Sequence, residues 1–411
     1  MMPGMCRLAA TLIVCAASAR AYGAPLGLQE TLTRVAEVGP DQAVAQSLLP
    51  IAQAEVRSAR MFPNPTLGVN AGRAEPVFAA SLTLHLPLLG QRGAHVRAAE
   101  KALEQSRLES LSSLWQLRHD ARIAYYTVAR AEEELAIAQQ VEQLTRRVAD
   151  IAATRYDAGA GSMLEKLQAQ LVHDRGLQDV SDRAAVLGVA RLELARLAAL
   201  PSETVTSLSD PLSAVGTTPS PESLLADAAK AHPELRALEA ERFAALARVQ
   251  AARADRRPLF ALDLGVEILD PSTCGGASYC VGPRGGLAFD LPLFNLNGGP
   301  IARAQAEARA AELKRNAVSR RIETAVRAAW ATYSAATTRA RFFESRYVPS
   351  ATQVESMARE GFAAGKTGLL PLIEAQRALL DSRLGQTEAR FAVQAARADL
   401  EGASGVALSA P

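Results

Sequence analysis

The stretch SLTLHLPLLGQRGAHVRAAE, Ser81–Glu100, changes its periodicity in mid-course, and that change decides the fold. Leu82, Leu84 and Leu86 alternate with Ser81, Thr83 and His85, the period of two expected of a strand with one apolar face. From about Ala94 the pattern turns helical and stays so to Tyr156. At 1.5 Å per residue, about 60 helical residues span on the order of 90 Å, far beyond the usual three or four turns. A strand feeding a rod of that length points to one body in a membrane and a long shaft outside it. The pattern stops at Asp157-Ala-Gly-Ala-Gly161 and resumes at Ser162 as a second helix.

The same plan is written twice. Leu86-Pro87-Leu88 returns as Leu291-Pro292-Leu293, and Arg122-Ile-Ala-Tyr125 as Arg327-Ala-Ala-Trp330. Tyr156-Asp-Ala-Gly159 returns as Phe362-Ala-Ala-Gly365, and Ala169-Gln170 as Ala375-Gln376, all at offsets of 205 or 206. An offset of this size means two copies of one large unit rather than a solenoid. The expected organisation is a signal peptide over 1–21, a first repeat over 22–200 and a linker over 201–221. A second repeat over 222–401 and an unstructured tail over 402–411 complete it. The signal peptide is read from Arg7, a short apolar run and Ala19-Arg20-Ala21; a lipoprotein signal at Cys15 is the alternative.

Four alternating segments are expected as strands in two hairpins, at Thr66–Gly72, Ser81–Leu86, Leu259–Ile268 and Leu287–Leu293. Their wet face carries Asn70, His85, Asp263, Glu267 and Asp290, and the other face is apolar. A half-buried sheet in a soluble protein would alternate too, but no nearby helix offers a wide apolar face to cover these strands. Four strands cannot close a barrel, and open edges are not tolerated in lipid. If they span a membrane, several chains must share one barrel.

The long helix carries Leu114, Ala121, Val128 and Leu135 at spacings of seven, with Leu117, Ala124, Ala131 and Ala138 beside them. This is a coiled-coil seam with small residues that allow close approach. Val141, Leu144, Val148 and Ile151 are expected to continue it after a three-residue skip. Gly159 suits a left-handed helix cap, and Ser162 with Glu165 forms an S-x-x-E capping box.

Composition excludes more than it proposes. With 45 basic and 43 acidic residues and a net charge of +2, nothing points to nucleic acid. The five histidines, His85, His95, His119, His173 and His232, are scattered, and no nucleophile motif or phosphate loop is present, so no enzyme, cofactor or metal site is expected. Beyond the expected cleavage site only Cys274 and Cys280 remain. An exported chain meets oxidising conditions, so a disulfide between them is expected, two free thiols being the alternative.

These features together resemble the TolC family of outer-membrane efflux channels over nearly the whole expected mature chain. FPNP at Phe62–Pro65 and LPLFNLNGGPIARAQAE at 291–307 are most similar to the CzcC-type, cobalt-zinc-cadmium branch. The resemblance implies a mainly α fold with a small β part. Long coiled helices would form a periplasmic α-barrel, and each of three chains would give four strands to a shared outer-membrane β-barrel. It implies a passive exit duct for a resistance-nodulation-division pump, joined through a periplasmic adaptor, with heavy-metal cations as cargo and drugs or other small molecules as the alternative. A periplasmic structural coiled-coil protein is the reading from outside the channel class. By position, Gly159, Ser162 and Leu164 match the first adaptor-docking tip, and Gly365, Gly368 and Leu370 the second. Gly368 stands where a hydroxyl residue is common, and capping alone would select the same glycines. Asp263, Glu267 and Asp290 imply an acidic lumen favouring cations.

Overall fold

The structure is a computed structural model that describes residues 25–73, 76–201, 207–210, 212, 220–276 and 278–408. The expected signal peptide, the alternative at Cys15 and most of the 201–221 linker lie outside these residues.

The elements run α1 (Leu28–Val38), α2 (Pro40–Arg60), β1 (Thr66–Ala71), β2 (Phe78–Leu86), α3 (Gln91–Asp157) and α4 (Met163–Leu197). The second copy runs α5 (Pro221–Ala231), α6 (Pro233–Ala254), β3 (Leu259–Leu269), β4 (Cys280–Asp290) and α7 (Gly298–Phe342). A π-helical turn at Phe343–Tyr347, α8 (Val348–Ala363) and α9 (Leu369–Ser404) complete it. The duplication is plain: α3 has 67 residues, and its counterpart is the unbroken run of 45, 5 and 16 residues from α7 to α8. The π turn lies just before Pro349, whose missing N–H cannot close an α-helical bond, so the ladder shifts register there.

Several boundaries differ from expectation. Pro50, a residue that ordinarily breaks a helix, lies inside α2. The helical run before β3 is divided at His232 into α5 and α6, because Pro233 starts a new helix. β4 begins at Cys280 rather than Leu287; its glycines and Pro283 resemble a loop, yet proline is tolerated on an edge strand such as this. The tail is not unstructured from Gly402: α9 continues to Ser404, capped by left-handed Gly405 at φ 70°. Gly402 packs so closely on His119 that an added Cβ would lie 3.3 Å from its ring.

The chain divides into two compact units, one of Met1–Val44, Ser113–Lys230 and Ile322–Pro411, the other of Ala45–Ser112 and Ala231–Arg321. In the second, the strand unit, one antiparallel sheet has the order β1-β2-β3-β4. Pairing of β2 with β3, from Phe78 opposite Ile268 to Leu86 opposite Phe260, joins the two hairpins. Helix contacts there are almost all alanine: Ala94 and Ala98 of α3 meet Ala251 and Ala254 of α6. Ala245 and Val249 of α6 meet Ala304, Ala308 and Ala311 of α7. Small side chains let helix axes approach closely over long lengths.

In the first, the hairpin unit, the α3 seam buries Ala121, Val128, Ala131 and Ala138 with Tyr125 and Tyr126. Tyr125, Tyr126, Val128 and Ala131 pack on Leu187, Leu194 and Ala195 of α4, and Ala121 packs with Leu197. The seam does not continue to Ile151, which is exposed; Ala152 takes the buried position beside Val148. Leu212, from the expected linker, is also in this core.

Candidate functional site

The strand register places the five wet-face residues together. Asn70 lies opposite Ala79, which lies opposite Glu267, and Thr83 lies opposite Asp263. His85 pairs with Ala261, and Asp290 with Leu259. Alternation then puts Asn70, His85, Asp263, Glu267 and Asp290 on one face. Thr83 Oγ1 donates to Asp263 Oδ2 at 2.8 Å. Arg284, opposite Gly265, shares that face, its Nε 3.9 Å from Asp263 Oδ1. Arg284 is missing from the expected face because the glycines and Pro283 around it disguise the first half of its strand; its even-numbered parity with Asp290 is the available signal. The face therefore carries three carboxylates and a partly offsetting guanidinium.

The other face is apolar and uncovered. Leu67, Val69, Leu264, Val266 and Val281 are exposed, Leu287 is 76% exposed and Phe289 55%. A continuous apolar surface of this kind marks an interaction with lipid or another chain. Among the described residues β1 and β4 each have one neighbour in the sheet, so both outer edges are open there. Among the described residues no helix is long and apolar enough to cross a membrane. Cys274 and Cys280 are joined by a disulfide across the β3–β4 loop, their Cα atoms 6.0 Å apart.

In the hairpin unit, the α3–α4 and α8–α9 turns are brought together. Val148, Ala149, Ala152 and Ala169 pack with Phe362, Leu369, Leu372 and Ile373 in one cluster. Gly159 and Gly365 cap their helices with φ of 70° and 68°, the left-handed geometry that favours glycine. Ser162 Oγ accepts from Glu165 N at 3.1 Å, and Ser162 N donates to the Glu165 carboxylate at 3.4 Å, completing the capping box. Gly368 caps α9 with no side-chain hydrogen bond. Beyond the caps, Leu164 is 64% and Leu370 69% exposed. Two cation–ring contacts went unforeseen: Arg155 lies 5.3 Å from the Phe362 ring and Lys166 4.8 Å from the Tyr156 ring.

Two polar clusters hold the hairpin unit together. Buried Tyr125 donates to Leu26 O at 2.8 Å and lies 3.0 Å from Asp210 Oδ2, the carboxylate that also accepts from Leu28 N at the start of α1. Burial pushes the Tyr125 phenol up to about 12, so it stays protonated. His119 lies between Asp120 and Asp399, at 2.9 and 2.8 Å. Burial alone would lower its pKa, but hydrogen bonds and charge from both carboxylates outweigh it and raise the value. The remaining histidines stay apart: His95 meets Asp255 at 2.8 Å, His173 lies 3.7 Å from Glu142, and His232 caps α6. Among the described residues no group of three or more His, Cys, Asp or Glu is placed to hold a metal ion.

The family model for "Outer membrane efflux protein" matches residues 33–199 and 224–406. The cobalt-zinc-cadmium resistance protein CzcC of Cupriavidus metallidurans is 26% identical over 379 residues, 90% of this chain and 88% of that protein. Among solved structures, the outer-membrane channel OprN is 20% identical with a TM-score of 0.75, covering 92% of this chain and 90% of its own. CusC, whose structures concern folding and transmembrane channel formation, is 18% identical with a TM-score of 0.74 and 92% coverage of each chain.

Proposed function

The chain belongs to the outer membrane efflux protein family, and from that premise we propose that three copies form the outer-membrane exit duct of a tripartite exporter. The observation that carries this reading is the four-stranded sheet with two open edges and one exposed apolar face. In hydrocarbon every backbone polar group needs a protein partner, so an open sheet must close with strands from other copies. β3 and β4 have 11 residues each, the length a tilted strand needs to cross the hydrocarbon layer, about 9–11 residues. The apolar face then meets outer-membrane lipid, and the face of Asp263 and Glu267 lines the pore.

The tunnel is passive; an inner-membrane pump of the resistance-nodulation-division type supplies the energy. The tips at Gly159, Ser162 and Leu164 and at Gly365, Gly368 and Leu370 dock a periplasmic adaptor, their exposed leucines entering its apolar surface. The cargo is heavy-metal cations, supported by the likeness to CzcC along most of both chains and by the excess of carboxylates on the pore face. Deleting the gene from its host should raise sensitivity to cobalt, zinc or cadmium, with rescue by the wild-type chain. Unchanged metal tolerance with new sensitivity to organic drugs would replace the cargo while leaving the duct.

A further inference from the structure

In the strand unit the two hairpins meet where β2 and its connector to α3 lie beside β3 and its connector from α6. Leu86 lies opposite Phe260, Leu84 opposite Leu262 and Leu82 opposite Leu264. Past the strand ends, Gln91 Nε2 donates to Pro258 O at 2.9 Å and Arg257 donates to Leu89 O, and Gln91 is buried.

Because the chain is a duplication, each half of this junction recurs at an outer edge of the sheet. Leu86-Pro87-Leu88, Leu89 and Gln91 return after β4 as Leu291-Pro292-Leu293, Phe294 and Leu296, at an offset of 205. Pro258, immediately before β3, returns as Pro65, immediately before β1; Phe260, Leu262 and Asp263 return as Leu67, Val69 and Asn70, at an offset of 193. β1 and β4 are the sheet's outer strands, and the connectors beside them are apolar and exposed: Phe294 completely, with Leu293, Leu296, Met61 and Phe62. Where the inner junction buries the hydrogen-bonded Gln91, the outer one has exposed Leu296, a side chain suited to apolar cover.

The β2–β3 register, carried to the outer edges, puts Leu291 opposite Leu67, Phe289 opposite Val69 and Leu287 opposite Ala71 of a next copy. Odd-numbered residues form the exposed apolar face of both β4 and β1, so this register keeps that face continuous, and a slip of one residue would break it. The stagger fits as well. Thr66 pairs with Thr83, Thr83 with Asp263 and Asp263 with Gly286. The transferred register continues that line to Gly72 of the next copy, six positions beyond Thr66. Six residues at about 3.3 Å along the strands, against four spacings of about 4.8 Å across them, give a tilt of about 45°, as in closed barrels.

We propose that β4 of one copy pairs with β1 of the next in this register, and that Phe294 and Leu296 of the first cover Met61, Phe62 and Pro65 of the second. This rests on the reading of a barrel shared by copies and specifies its seam residue by residue.

The test is disulfide trapping in membranes holding the full-length protein, with two cysteines introduced in each chain. Phe289→Cys with Val69→Cys, and Leu287→Cys with Ala71→Cys, occupy opposed positions; Phe289→Cys with Leu67→Cys is the slipped control on the same face. Opposed positions lie within reach of a disulfide and the diagonal pair beyond it, so whichever matched pair folds should link chains at least about fivefold faster than the control. The Cys274–Cys280 bridge is already closed and does not compete. Phe294→Cys should likewise join Phe62→Cys of a neighbouring chain through a short bismaleimide. A three-chain particle whose matched pairs link no faster than the control would overturn the proposal and leave the shared barrel standing. So would labelling of Phe294→Cys by a lipid-soluble maleimide with no link to Phe62→Cys, which would put lipid on that connector. A monomer with no links would refute the shared barrel and its seam together.

Discussion

His119 is held by Asp120 on its own helix and by Asp399 on α9. Its pKa is raised above the ordinary histidine value of about 6.5. The folded state therefore binds the proton more tightly, and its stabilising contribution is complete below about pH 6.5. It is lost as pH rises through the folded value. His119→Gln should accordingly lower thermal stability in acid and converge on wild type in alkali; an equal loss at every pH would show that charge plays no part. Gly265 carries a different constraint. A Cβ there would lie 2.3 Å from Ala80 O and 2.9 Å from Ser81 Cα, both backbone atoms on the strand that joins the hairpins. Gly265→Ala should destabilise the sheet by about 1–3 kcal/mol and reduce membrane-inserted protein. Gly285→Ala, which meets nothing within 4 Å, should be tolerated. Neither constraint was legible in the chain: the partners of His119 and Gly265 are 280 and 185 positions away, and local pattern carries no information at that range.

The helices and strands were legible where periodicity is long and unbroken. α3 starts within three residues of the expected point because the 64 residues that follow Gly93 in it, 94–157, contain no proline or glycine and leave no competing reading. β4 did not, because Gly282, Pro283, Gly285 and Gly286 carry loop chemistry inside an edge strand. The turns were legible because their chemistry is local: Ser162 meets Glu165 three positions away. Ser162→Ala should cost about 1 kcal/mol of helix stability, measurable as a lower unfolding midpoint, with function largely retained. Leu164→Glu with Leu370→Glu should do the reverse. These exposed residues make no core contact in the tip cluster, so stability should hold while adaptor-dependent efflux falls sharply. Wild-type resistance in that double variant would leave the turns with capping alone.

Across the whole molecule, an open apolar sheet and long alanine-lined helices suit the proposed barrel of several copies. Strand count and alternation already imply several copies, while the charge on the polar sheet face had to wait for the register, which added Arg284 beside Asp263. Converting Asp263, Glu267 and Asp290 together to Asn or Gln should reduce cation preference in planar-bilayer conductance. Arg284→Gln should increase it, since it removes the guanidinium beside Asp263; unchanged selectivity in both would remove the electrostatic role. The most direct test is the mass of the particle extracted from membranes in detergent, determined by native mass spectrometry. A barrel shared by three copies predicts three chains per particle that stay together until the sample is heated. A monomer that remains soluble in water without detergent would contradict it.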